Sequence, residues 1–293
     1  MAGAAVTGHS RKMGASFAKG RCVRGTYIPS DQAGEITRSL SFTRPSRVLA
    51  RFTVGGGNSE MRDADNIGLR SFSFRLGDVH QRSEIVTQSA PVHFTRTLHL
   101  LRAFLRSRIP GPDRTANVDE VDAVSAVDPE MLHHASDVGA RPQPGSFAGT
   151  SYWGVHAFPA TNLKSETRFI KFKIAPVGVE VSRTERDARA KSADFLLDDL
   201  ESRITARDVR FSVMALLDRP GDPVMDATIR WPDEDRREAV RLGTIVITGF
   251  EANEACDEPV FNPANLADGI GHPPDEIFAA RRAAYAISRI RRG

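Results

Sequence analysis

The 293-residue sequence predicts an α+β fold: an eight-stranded antiparallel β-barrel with surrounding and C-terminal helices. Three observations carry this reading. Eight short runs alternate apolar and polar residues with period two between Gly- and Pro-rich breaks, the pattern of strands. They fall four and four on either side of a long polar connection at 112–150. Eight antiparallel strands can close on themselves, which removes exposed edges.

The elements follow in order. Residues 20–28 alternate and end at Pro29; 47–54 are rich in β-formers and end at Gly55-Gly56-Gly57; 68–76 place Phe72 and Phe74 two apart; 84–87 precede Pro91. Residues 97–107 change to helical spacing through Leu98, Leu101 and Leu105, and Pro110-Gly111-Pro112 ends them. The connection at 112–150 carries a candidate helix at 119–134. Strands are expected at 153–158, 168–175, 209–217 and 242–250, with a charged helix at 184–203 and a final helix at 275–292. A long polar connection inside a compact chain wraps the surface or serves function. The expected organisation is one domain, 1–293.

Composition narrows the classes. Lys and Arg number 40 against 37 Asp and Glu, a net charge of +3. This is a balanced surface, so no nucleic-acid partner is expected. No apolar run approaches the roughly 20 residues that a membrane helix needs, so no membrane partner is expected either. Residues 1–12 have no apolar core of a secretory signal, and a cytoplasmic location is expected. Cys22 and Cys256 show no metal-ligand spacing and are expected to be buried free thiols.

The last helix holds the first chemical constellation. Arg281, Tyr285 and Arg289 are spaced four apart and share one face. A guanidinium one turn from a phenol favours the phenolate, and tyrosinate is an axial ligand of haem iron. By themselves these residues fit better a surface helix with a stray tyrosine and a solvated basic face, and Arg281, Arg282, Arg289, Arg291 and Arg292 allow an RNA-binding tail.

The preceding residues decide between these. Phe261-Asn262-Pro263, Gly269-Ile270 and Asp275, followed by Arg281 and Tyr285, resemble the haem-ligand segment of the catalase family, which runs Phe-Asp-Pro, Gly-Ile, Asp, then Arg-x-x-x-Tyr. Phe17-Ala18-Lys19-Gly20 with Gly25 resembles that family's His-Ala-Lys-Gly opening. Ala50-Arg51-Phe52-Thr53 is similar to its Val-Arg-Phe-Ser strand, and Arg62-Asp63 with Gly68 to Arg-Asp-x-Arg-Gly. Residues 85–94 resemble the strand carrying Asn-Asn-Thr-Pro-x-Phe-Phe. Gly154-Val155-His156-Ala157-Phe158, Phe169-Ile170-Lys171-Phe172 and Trp231-Pro232 match later segments. The resemblance spans roughly 11–289 and points to the small, catalase-related peroxidases.

The resemblance implies ferric haem held by tyrosinate: Tyr285 as the metal ligand, with Arg281, Arg51, Thr53 and Arg289 binding the cofactor and the porphyrin inside the cylinder of strands. The distal positions depart from the family. Phe17 stands where the family has its proton-shuttling histidine, and Gln88 where it has an asparagine; Gly14 replaces an arginine. General acid–base help of the kind a histidine gives is typically worth roughly 10²–10⁴-fold. His9, His93 and His156 are expected to be surface or satisfied core residues, with His93 on the opposite face of its strand from Gln88.

The implied activity is peroxidase chemistry on hydrogen peroxide or a small organic hydroperoxide, with reduced catalase activity. Two alternatives stay open: a haem-dependent enzyme that rearranges hydroperoxides, and a haem-binding or sensing protein without turnover. Self-association into a homo-oligomer also stays open.

Overall fold

Along the strands, alternation in sequence becomes alternation between the inside and the outside of a cylinder. The computed structural model describes residues 19–56, 59–65, 69–107, 143–257 and 261–292. The main strands are β1 (Gly20–Pro29), β2 (Ser46–Val54), β3 (Arg70–Leu76), β4 (Ser83–Gln88), β6 (Tyr152–Trp153), β7 (Phe158–Thr161), β8 (Thr167–Pro176), β10 (Val209–Leu217) and β11 (Ala239–Phe250). They form one sheet in the order β10-β11-β1-β2-β3-β4-β6-β8-β7, and β10 pairs again with β8 to close the ring. All pairings are antiparallel. A short ribbon, β5 (Gln143–Pro144) with β9 (Ser182–Arg183), stands apart.

The barrel thus has eight staves, as the sequence pattern predicts, but one of them is broken. The single strand expected at 153–158 is two strands, β6 and β7, both laid along β8. The backbone leaves the sheet after Trp153 and rejoins it at Phe158. Residues 153–158 are all buried, so burial along the run does not reveal such a detour.

Helices fill the connections: α1 (Ala33–Ile36), α2 (Leu40–Thr43), α3 (Leu98–Ser107), α4 (Glu185–Arg189), α5 (Phe195–Ala206), α6 (Glu254–Asp257) and α7 (Glu276–Arg292). The helix expected at 184–203 is split into α4 and α5. The interruption has a local cause. The Ala193 carbonyl accepts from the Lys19 ammonium (3.2 Å) and from the Asp63 amide (2.8 Å) instead of a helical N–H. The candidate helix at 119–134 lies outside the described residues.

The cylinder is solid. Phe52 stacks on Phe72 at 4.4 Å, and Phe147, Tyr152 and Phe211 close around them, all fully buried. Interior space on this side is therefore taken by aromatic side chains at core density. The expectation of a porphyrin inside the cylinder is corrected on this point: Arg51 and Thr53 flank the inward Phe52 and so point outward. Gly25 marks the bulge where β1 and β11 shift register; a Cβ there would sit 2.0 Å from the Val246 carbonyl oxygen.

The free-thiol expectation is also corrected. Cys22 on β1 and Cys256 on α6 form a disulfide across 234 residues of sequence, with both side chains buried. Sequence spacing could not show this, because only barrel closure brings β1 beside the segment after β11. Around the bond, the Cys22 amide donates to Asn253 Oδ1 (2.9 Å), Phe261 clusters with the two cysteines, and Leu49 and Val86 pack against that cluster.

Cross-linking so long a loop is worth about 5 kcal/mol in the chain-entropy account. The double variant Cys22→Ser/Cys256→Ser is expected to melt on the order of 10 °C below the parent. Differential scanning calorimetry, with and without reductant, measures this, and an unchanged midpoint would contradict it.

Candidate functional site

Two surfaces carry the residues singled out from sequence. The first is the outward face of β2, β3 and β4. The register sets Gly20, Thr53, Ser71, Gln88 and Trp153 in one cross-strand row. Cys22, Arg51, Ser73 and Val86 form the next row. Arg51, Thr53 and Gln88 therefore share one wall, as strand parity requires. Gly20 makes room for this wall: a Cβ there would meet Thr53 Cγ2 at 2.5 Å and Arg51 Nε at 3.2 Å. Just before it, Lys19 is buried and gripped by Asp63 Oδ1 (2.7 Å), Asp194 Oδ1 (2.6 Å) and the Met61 carbonyl (2.9 Å). Asp63 in turn accepts from the Leu196 amide at the start of α5 (2.9 Å). The Lys-Gly and Arg-Asp motifs are thus one clasp. Phe17 lies outside the described residues.

Gln88 ends β4, and its side-chain amide donates to the Val92 carbonyl (2.8 Å). The chain therefore turns at 88–92 and strand alternation stops. His93 is consequently not on the opposite face of a continuing strand, which corrects that expectation.

The second surface is built on α7. The strap leading to it, 261–275, is tied down at Glu84 of β4. One carboxylate oxygen accepts from the Asn262 amide (2.8 Å) and Asn265 Nδ2 (2.9 Å), and the other from Arg75 (2.7 Å). Gly269 turns with φ +96°, a conformation that favours glycine, and Ile270 bridges to Ala160 of β7. The strap ends at Asp275. Its Oδ1 accepts from the Phe278 amide (2.8 Å), capping α7, and its Oδ2 accepts from His156 Nδ1 (2.8 Å). His156 stands in the break between β6 and β7 and is buried. Arg281 Nη1 donates to His156 Nε2 (3.0 Å), and the Arg281 guanidinium lies 5.9 Å from the centre of the half-buried Tyr285 ring.

Asp275, His156, Arg281 and Tyr285 thus form one connected line. The two hydrogen bonds assign the imidazole proton to Nδ1 and leave Nε2 as acceptor, so His156 is neutral. Burial holds its pKa below the usual histidine value; the Asp275 hydrogen bond opposes this and the Arg281 charge adds to it. Burial alone would raise the Asp275 carboxyl, but the hydrogen bonds it accepts from His156 and from the Phe278 amide hold it below the usual carboxylate value.

The sequence expectation for His156, a satisfied core residue, is met as far as it goes, and misses its bond to Arg281. A Gly-x-His-x-Phe run inside an apparent strand was the available signal. Arg281 and Tyr285 share a face of α7 as expected. Arg289 lies on the same helix, with its side chain outside the described residues. Among the described residues no group of three His, Cys, Asp or Glu could hold a bare metal ion. A phenol beside a fixed guanidinium, and an arginine-bearing wall, fit an iron porphyrin instead.

The comparisons with known proteins agree with this architecture. A sequence model of the catalase family matches residues 14–293. The chain is 28% identical over 284 residues to a catalase-related peroxidase of Synechococcus elongatus, covering 94% of this chain and 81% of that protein. It is 29% identical over 291 residues to a catalase-related peroxidase of Mycolicibacterium paratuberculosis, covering 94% and 87%. Catalase A from Saccharomyces cerevisiae superposes with a TM-score of 0.85 at 18% identity, covering 96% of this chain and 61% of that one. A fungal catalase gives 0.84 at 18% identity, covering 94% and 59%. The chain spans about three-fifths of these solved catalases. It belongs to the catalase family.

The neutral, buried His156 makes stability pH-dependent with a defined sign. An unfolded histidine takes up a proton below about pH 6.5, and the folded one resists it. The unfolded state then binds more protons, so stability falls as pH drops through that value. Asp275 adds a second loss below about pH 4, where the unfolded carboxylate protonates first. Urea titrations of the parent and of His156→Gln should show a flatter dependence between pH 6.5 and 5 in the variant. An identical slope would refute the neutral assignment.

Proposed function

We propose that this chain is a haem-binding, catalase-related peroxidase acting on hydrogen peroxide or small organic hydroperoxides. In this reading 1–293 is one haem domain whose distal side is modified. The observation that carries it is the line Asp275–His156–Arg281–Tyr285, which ends on the helix where the family has its Arg-x-x-x-Tyr pair. The similarity to two proteins named catalase-related peroxidase, along nearly the whole chain, supports the choice within the family.

Tyr285 would hold the iron, and Arg281 would keep a positive charge beside the phenol oxygen. Arg51 and Arg289 would pair with the propionates. Ferric haem, when bound, supplies the oxidising chemistry of peroxide reduction. The remaining roles belong to the chain. Gln88 commits one amide hydrogen to Val92 and keeps a second for a peroxide oxygen. The Thr53 hydroxyl can accept or donate a hydrogen bond. Neither group holds a proton as an imidazole does. With Phe17 at the distal histidine position, proton transfer falls to water or to the substrate itself. The same Phe17 favours one second reading, the rearrangement of an apolar hydroperoxide without an external reductant.

Tyr285→Phe is expected to lose ferric haem or to lose its phenolate-type absorption, read by hemin titration; full occupancy with an unchanged spectrum would sink the ligand assignment. Phe17→His, loaded with haem, is expected to raise hydrogen peroxide turnover at least about 10²-fold. Oxygen evolution measures that gain. Consumption of a fatty-acid hydroperoxide without reductant would instead favour the second reading.

A further inference from the structure

His93 is a residue that peroxide chemistry, as described above, does not use. It is buried at 7% exposure and held from several directions. Its amide donates to the Ala227 carbonyl (2.8 Å), which fixes the backbone. Its ring Nδ1 lies 2.9 Å from the Thr95 carbonyl and 3.2 Å from the Thr95 amide, which fixes the ring plane. The ring stacks on Phe94 at 4.5 Å and lies 6.4 Å from the His156 ring, with 27° between the planes.

His156 is thereby enclosed. Asp275 holds one nitrogen and Arg281 the other. Phe278 presents an edge at 5.3 Å, and His93 covers another side. The residue before His93, Val92, accepts the Gln88 amide. A single turn, 88–93, thus runs from the strand wall to the imidazole that orients Arg281. A phenyl ring at 93 could stack in the same place, but it would have no nitrogen to bond Thr95 and lock its plane.

We propose that His93 is a positioning residue: it fixes the plane of His156, and so the aim of Arg281 toward Tyr285, and it links that line to Gln88 through the turn 88–93. The catalytic meaning of this link rests on the haem reading above; the link itself does not.

The test is nuclear magnetic resonance of histidine-labelled protein, with no haem added, following the His156 Nδ1 proton held by Asp275. In His93→Ala, that resonance is expected to broaden to loss, or to exchange on the order of tenfold faster because its surroundings open locally. In His93→Phe it is expected to persist at a displaced position, since stacking remains and the Thr95 lock is gone. His93→Gln serves as a second variant if the alanine form does not fold. After hemin addition, the ferric absorption band should shift in the alanine variant and partly return in the phenylalanine one. An unmoved His156 resonance in folded variants, even with a lowered melting temperature, would overturn the proposal and leave His93 as core packing. Absence of haem uptake in every protein, the parent included, would count against the haem reading alone, and the resonance would still decide the role of His93.

Discussion

The hydrogen bond between Asp275 and His156 is the contact on which the rest of the site depends. It joins the N-terminal cap of α7 to the gap in the fifth stave of the barrel. One carboxylate caps the helix with one oxygen and orients the imidazole with the other. Both partners are nearly dry, so the bond is strong, and leaving either group unpaired would be costly. Because the imidazole is held neutral with its proton on Nδ1, Nε2 can accept from Arg281. The guanidinium is thus aimed from outside the helix as well as carried by it.

The barrel serves this contact by being rigid. Its interior is filled with stacked aromatic rings, so the outward rows of β2, β3 and β4 present Arg51, Thr53 and Gln88 from a fixed surface. The sequence run 261–275, tied to Glu84 and closed by Gly269, carries the chain from that side to the head of α7. The disulfide pins the start of this strap, through Phe261 and α6, to the first strand. Trp231, from the Trp-Pro motif, is buried with the cations of Lys171 (5.2 Å) and Arg237 (4.9 Å) over its ring.

Much of this is legible in the amino-acid sequence. Period-two alternation placed the staves, because each strand has one wet and one dry face. Helical spacing put Arg281 and Tyr285 on one side of α7, because 3.6 residues make a turn. The motifs identified the family. Other features were illegible for equally physical reasons. The break at 154–157 is hidden because its residues are all buried, and burial looks the same in a strand as in a detour beside one. His93 departs from strand parity because the Gln88 amide reaches forward to Val92 and turns the chain.

The sequence alone determined the number of staves, the shared face of Arg281 and Tyr285, and the presence of phenylalanine at position 17, since each is a matter of local period or residue identity. Only the tertiary structure decided which face of the barrel is filled, that Cys22 meets Cys256, and that His156 stands between Asp275 and Arg281. These are contacts between residues from 119 to 234 apart in the chain. Spacing along a chain carries no record of such meetings; closure of the sheet creates them.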